Sequence, residues 1–210
     1  MQAAYSATRT GSILRNFSTV LLLAGGLLLG GYFFVIVHAH AYQLREIRRL
    51  DSLLATTSPD GQAGYSYEFA VPESHLQMGA LFGELEIPRI GIDTIVLQGD
   101  DTSILRSGAG HIPYTAMPDD PGGNVAIAAH RDMYFRPLRF IQPNDLILIK
   151  TPAGIHQYRV QFTRIVQPND IAVLDADATG QRTLTLVTCY PFYFVGSAPN
   201  RFIVRATAAD

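Results

Sequence analysis

From Gly83 onward the chain is cut by Pro and Gly into short apolar segments, and this constrains the fold more than any other feature. The runs GELEIPRIGI, TIVLQ, NVAIAAH, LILIKT, HQYRVQF, TRIV, TLTLVTC and RFIVRA are all of strand length. Breakers bound several of them: Gly122–Gly123, Pro143–Asn144–Asp145, Pro152–Ala153–Gly154 and Pro168–Asn169–Asp170. In HQYRVQF, Tyr158, Val160 and Phe162 alternate with polar residues, the pattern of a strand with one buried face. Short helices fit only around Thr102–Arg106 and Pro137–Ile141. About eight short strands in about 125 residues predict an all-β domain, a barrel or a sandwich.

Upstream the pattern changes. Phe17 to Val37 carries no charged side chain, and at the helical rise it spans roughly 30 Å, a bilayer core. The run is long for a signal peptide and no small-x-small cleavage site follows it, so an uncleaved anchor is expected. Arg9 and Arg15 precede it, and Arg45, Arg48 and Arg49 follow, so charge alone does not orient it. Gly26 and Gly30 form a GxxxG pair, a pattern that serves homodimers. Leu44, Ile47, Leu50, Leu53 and Leu54 then recur at helical spacing, and residues 56–64 read as a linker. A weak helix is expected over Pro72–Leu81. The chain thus divides into a tail (1–16), a transmembrane helix (17–37), a helical stalk and linker (38–81) and a β-domain (82–210). Hydrophobic residues at 48% exclude a disordered chain, and a net charge of −2 argues against nucleic acid as partner.

The chain holds one cysteine, which rules out an internal disulfide and a Cys-rich zinc site. Cys189 ends the run TLTLVTC, and Tyr190–Pro191 breaks the strand after it. A thiol there is held firmly and lies near the surface, as a nucleophile needs; a lone cysteine also packs as an inert apolar residue. A nucleophilic thiol requires an imidazole to take its proton and return it to a leaving amine. Of the six histidines, His38 and His40 border the apolar segment and His75 lies in the linker region. His156 is expected to face solvent. His130 ends NVAIAAH in the strand-end setting of Cys189 and is the better candidate; His111, in a loop or helix end, is the runner-up and may equally be structural. Arg201 opens RFIVRA, where Arg201, Ile203 and Arg205 share a strand face. Its guanidinium suits an oxyanion or a substrate carbonyl, or is a solvated surface charge.

Together these segments resemble a known family. TLVTC followed by YPFYFVGSAPNRFIV resembles the active-site segment of sortases. GNVAIAAHRD resembles their histidine segment, and GELEIPRIGI resembles the first strand of their catalytic domain. The motifs occur in order over Phe82–Ala206, and YPFYFVGSAPNRF looks most like class D. The resemblance implies a closed eight-stranded barrel outside the membrane with the N-terminus in the cytoplasm. It implies that Cys189 attacks the bond after Thr in an LPxTG-like signal of a secreted protein. A thioacyl enzyme forms, and an amine such as that of a peptidoglycan precursor resolves it. His130 would be general acid and base, and Arg201 the oxyanion clamp. Substrate-binding positions are expected at Thr188, Val173 and Leu174, and at Ala129, where the family pattern has Gly. No cofactor is implied. Asp170, Asp175 and Asp177 offer oxygen ligands for calcium, or are turn formers; no metal is assigned. No lid motif of the pilin-polymerising type stands near the domain start. Two rival readings remain: the same chemistry with water as acceptor, or a tethered peptide-binding module without turnover.

Overall fold

The computed structural model describes residues 20–34, the isolated positions 37, 41, 45, 47 and 48, and residues 76–209. The chain divides into two units, Met1–Tyr42 and Gln43–Asp210. In the first, residues 20–34 are helical and their large apolar side chains are exposed, Leu27 at 80%. Among the described residues no helix is long and apolar enough to cross a membrane. The flanks of the expected span, 17–19 and 35–36, lie outside the described residues, as do the linker and residues 72–75 of the expected weak helix. The described remainder of that stretch is not helical: residues 76–80 form loop and turn, and Leu81 already begins a strand.

In the second unit eight strands close into a barrel: β1 (Leu81–Ile87), β2 (Ile92–Gln98), β3 (Ala109–His111), β4 (Asn124–Ala128), β5 (Leu146–Thr151), β6 (Gly154–Val166), β7 (Thr183–Tyr190) and β8 (Asn200–Ala208). Their order round the barrel is β1-β2-β3-β4-β7-β8-β6-β5, closed by β5 on β1. Two neighbours run parallel, β2 with β3 and β4 with β7; the other pairs are antiparallel. Alternate side chains fill the interior, among them Leu85, Ile87, Val125, Ile127, Ile147, Ile149, Leu184, Leu186, Val204 and Ala206. Closure leaves no unpaired sheet edge. 3-10 segments at Pro88–Ile90, Arg136–Phe140 and Ile171–Leu174 and one short helix, α1 (Thr102–Ser107), complete the domain. Asp101 caps α1, its carboxylate accepting from the Ser103 and Ile104 amides at 2.8 and 3.1 Å.

Eight strands were expected, but not quite these eight. HQYRVQF and TRIV are one strand, β6, bent by a register shift against β8 between Val160 and Phe162. The irregularity reverses the phase, so Tyr158 and Val160 point inward while Phe162 is exposed. The eighth strand is β3, read from sequence as a loop or helix end. Ala109–Gly110–His111 has no alternating signal; its glycine answers a close approach instead. A β-carbon on Gly110 would lie 2.1 Å from the carbonyl oxygen of Gly99.

Candidate functional site

The outer face of β4, β7 and β8 carries the site. On β7, Leu184 and Leu186 face the core, so Thr185, Val187 and Cys189 face outward. β8 runs antiparallel beside it, and the register sets Arg201 directly opposite Cys189, with Ile203 opposite Val187 and Arg205 opposite Thr185. On the other flank β4 runs parallel, with Ala128 level with Val187. The Ala129 amide continues the ladder, donating to the Val187 carbonyl at 3.2 Å. His130 stands two residues beyond Ala128, just past the end of β4, as Cys189 stands two residues beyond Val187 on β7. His130, Cys189 and Arg201 are all half-buried. The topology therefore brings the three expected catalytic residues to adjacent strand ends.

The strand ends are tied down from below. Thr188 is 2% exposed, and its hydroxyl donates to the Ala129 carbonyl at 2.7 Å, bolting the ends of β4 and β7 together. Ala129 itself is 5% exposed and packs in the barrel core. Both were expected to touch substrate. In the structure both side chains are buried, each next in sequence to an expected catalytic residue. The His130 carbonyl accepts from the Met133 and Phe135 amides at 3.3 and 3.1 Å, and the buried Phe135 anchors this turn.

Val173 and Leu174, expected as substrate-binding positions, lie in the Ile171–Leu174 segment on the outer face of the sheet. Their 3-10 turn packs against Val187 and Ile203, next in line to Cys189 and Arg201. A polar network that sequence reasoning missed fixes the turn there. The Asn124 carboxamide donates to the Leu174 carbonyl at 3.0 Å and accepts from the Thr183 and Thr185 hydroxyls at 3.1 and 2.9 Å. Arg205 donates to Thr185 Oγ1 at 2.7 Å and to the Asp175 carbonyl at 3.1 Å. The alternation Thr183, Thr185 opposite a strand-starting Asn was the legible signal. Arg201, by contrast, spends Nη1 only on the carbonyls of Asn200 and Ala198, at 3.1 and 3.4 Å.

The runner-up His111 is not part of this site. It is 1% exposed, stacks on Phe82 at 4.4 Å, and both ring nitrogens are engaged: Nδ1 with the Gln98 carboxamide at 2.8 Å, Nε2 with the Ala116 carbonyl at 3.1 Å. Burial pulls its pKa below the ordinary histidine value, and with both nitrogens spent on the surrounding barrel the ring is structural. His156, expected in solvent, has a side chain only 12% exposed and pairs with Asp119 at 3.3 Å. It borders a cavity of about 370 Å³ at the opposite end of β7 and β8, which holds none of the three site residues. Asp177 is a turn former, its carboxylate accepting from the Thr179 amide and hydroxyl at 2.7 and 2.5 Å. Among the described residues the acidic group whose ligand atoms converge is a different one, Glu84, Glu86 and Asp93, and Lys150 already bridges the first two at 3.1 and 2.7 Å.

A closed barrel with a thiol, an imidazole and a guanidinium on adjacent strand ends defines a class of cysteine acyl-transfer enzyme. The family model for the sortase domain matches residues 85–209, and the chain belongs to the sortase family, whose members are cysteine transpeptidases. It is 28% identical over 190 residues to sortase D of Bacillus subtilis, covering 88% of this chain and 94% of that one. The fold is similar to that of a Clostridium perfringens sortase D5 transpeptidase, at TM-score 0.58 and 30% identity over 65% of this chain and 83% of that one. Sortase A of Corynebacterium diphtheriae is similar at TM-score 0.58 and 28% identity, over 64% and 62% of the respective chains. The likeness to class D read from YPFYFVGSAPNRF agrees with the first two.

Proposed function

We propose that this sortase cleaves an LPxTG-like sorting signal after Thr and transfers the protein to an amine of the cell envelope, such as a peptidoglycan precursor. Cys189 attacks the Thr carbonyl, and Arg201 holds the oxyanion. Collapse breaks the C–N bond, His130 protonates the departing amine, and a thioacyl enzyme remains. The acceptor amine enters, gives a proton to His130 and expels the thiolate, forming the new amide. The observation that supports this most is the pairing of Cys189 with Arg201 across β7 and β8, which makes the two residues direct neighbours on adjacent strands. Val173 and Leu174 would form the apolar wall for the Leu of the signal. The uncharged segment 17–37 would hold the chain in the membrane, with the barrel outside and the N-terminus within, and Gly26 and Gly30 would offer a homodimer face.

The test is mass spectrometry of the full chain after exposure to an LPxTG or LPxTA peptide. A Cys189 adduct ending at Thr, released by an added amine as an amide-linked product, is expected. An adduct released only by water would establish the protease. No adduct on a thiol that still alkylates would favour the binding module.

A further inference from the structure

The connection between β7 and β8, residues 191–199, follows the nucleophile directly and leads into Arg201. It is rich in exposed apolar side chains: Tyr193, Phe194 and Val195. Its ends are anchored locally, Phe192 packing on the core beside Phe202 and the Ala198 carbonyl accepting from Arg201. Its exposed middle meets a pair of arginines from outside the loop. Arg131, the residue after His130, donates from Nη2 to the carbonyls of Phe194 at 2.7 Å and Gly196 at 3.0 Å. Its guanidinium also lies 5.9 Å from the Phe194 ring centroid. Arg139 is set between Phe140 and Tyr193, at 4.6 and 5.3 Å from the ring centroids.

We propose that Arg131 is a positioning residue, tying the loop after Cys189 to the turn that carries His130 and so fixing the wall against which substrate is held. The inference rests on the sortase reading above. The Arg131 backbone lies in the turn that the Met133 and Phe135 amides close on the His130 carbonyl, and its side chain reaches the one segment that joins Cys189 to Arg201. A two-carbonyl bond from one planar guanidinium, with an aromatic ring stacked on it, is a geometry that lysine does not reproduce. The clasp is also incomplete. Among the described residues Arg131 Nη1 and Arg139 Nε and Nη1 are buried with no hydrogen-bond partner, so part of the donor capacity of each guanidinium is unspent.

The test measures amide hydrogen exchange and steady-state cleavage in the full chain for R131A, R131K and F194A. For R131A, exchange at residues 192–197 is expected to rise about tenfold while β1 and β5 stay unchanged. KM for the signal peptide is expected to rise about tenfold, with kcat changing far less. R131K should restore part of both effects. F194A, which removes the stacking partner alone, should show both in smaller measure and serves if R131A does not accumulate. Unchanged loop exchange in R131A overturns the inference. So does exchange rising equally throughout the barrel, and so does a fall in kcat at constant KM. The exchange readout needs no substrate, so the inference stands or falls even if the sorting-signal reading fails.

Discussion

The outer face of β4, β7 and β8 treats its polar groups in two ways. In the lower half Asn124, Thr183, Thr185 and Arg205 use one another and the carbonyls of Val173, Leu174 and Asp175, so the loop before β7 is bound into the sheet. In the upper half, one or two rungs along the same strands, Arg201 touches only carbonyls of its own segment. In the lower group Asn124, Thr183 and Thr185 are buried and Arg205 is half-buried, all with partners; the upper residues are half-buried and more sparsely bonded. Saturation makes a scaffold, and incomplete saturation on top of it makes a site. A buried polar group is costly to leave unpaired, so uncommitted ones persist where something else fixes the backbone. Here that something is the network below and the Thr188–Ala129 bond beneath.

The comparison breaks most visibly at the nucleophile. Cys189→Ala removes the covalent route, and cleavage is expected to fall at least about 10⁴-fold, read by peptide kinetics, with the urea midpoint unmoved. His130→Ala is expected to cost about 10²–10⁴-fold in kcat. Arg201→Ala should cost about 10²–10³-fold, with Arg201→Lys recovering a part because one ammonium replaces a fork of donors. These upper-half changes leave stability nearly intact. The lower half answers in the opposite sense. Asn124→Ala strips partners from two buried hydroxyls and the Leu174 carbonyl, so unfolding free energy should drop by about 2–3 kcal/mol, measured by denaturant titration. Cleavage per folded molecule then changes through KM as the Val173–Leu174 wall loosens.

The smallest expected effect lies on a third polar cluster, on the outer face of β1 and β5. Glu84 is 2% exposed, and burial pushes its pKa up to about 7 despite the hydrogen bond from Lys150. The folded state therefore holds this proton more tightly than the unfolded one. Its contribution to stability is complete below the ordinary glutamate range and is lost as pH rises through about 7. A fall of about 1–2 kcal/mol between pH 5 and 8 is expected, and Glu84→Gln should flatten it in pH-dependent denaturation curves. An unchanged slope in that variant would place the titration elsewhere.

The sequence alone determined much of this domain. Alternation and breakers marked most strands because a strand half-buried in a barrel must obey a period of two. Cys189, His130 and Arg201 could be picked out because each sits at a strand end, where rigidity and access coincide. Thr188 and Ala129 were picked out by their nearness to Cys189 and His130, and only the packed barrel shows that both are buried. Only the tertiary structure supplied β3, whose pairing depends on backbone packing at Gly110 and not on side-chain pattern. Only it joined HQYRVQF to TRIV, because the irregularity that inverts the phase is set by β8, distant in sequence. Asn124 and Arg131 acquired their meaning in the same way. Their partners lie about 50 to 65 positions away along the chain, and which distant carbonyls meet them is decided by barrel closure, a choice no local propensity encodes.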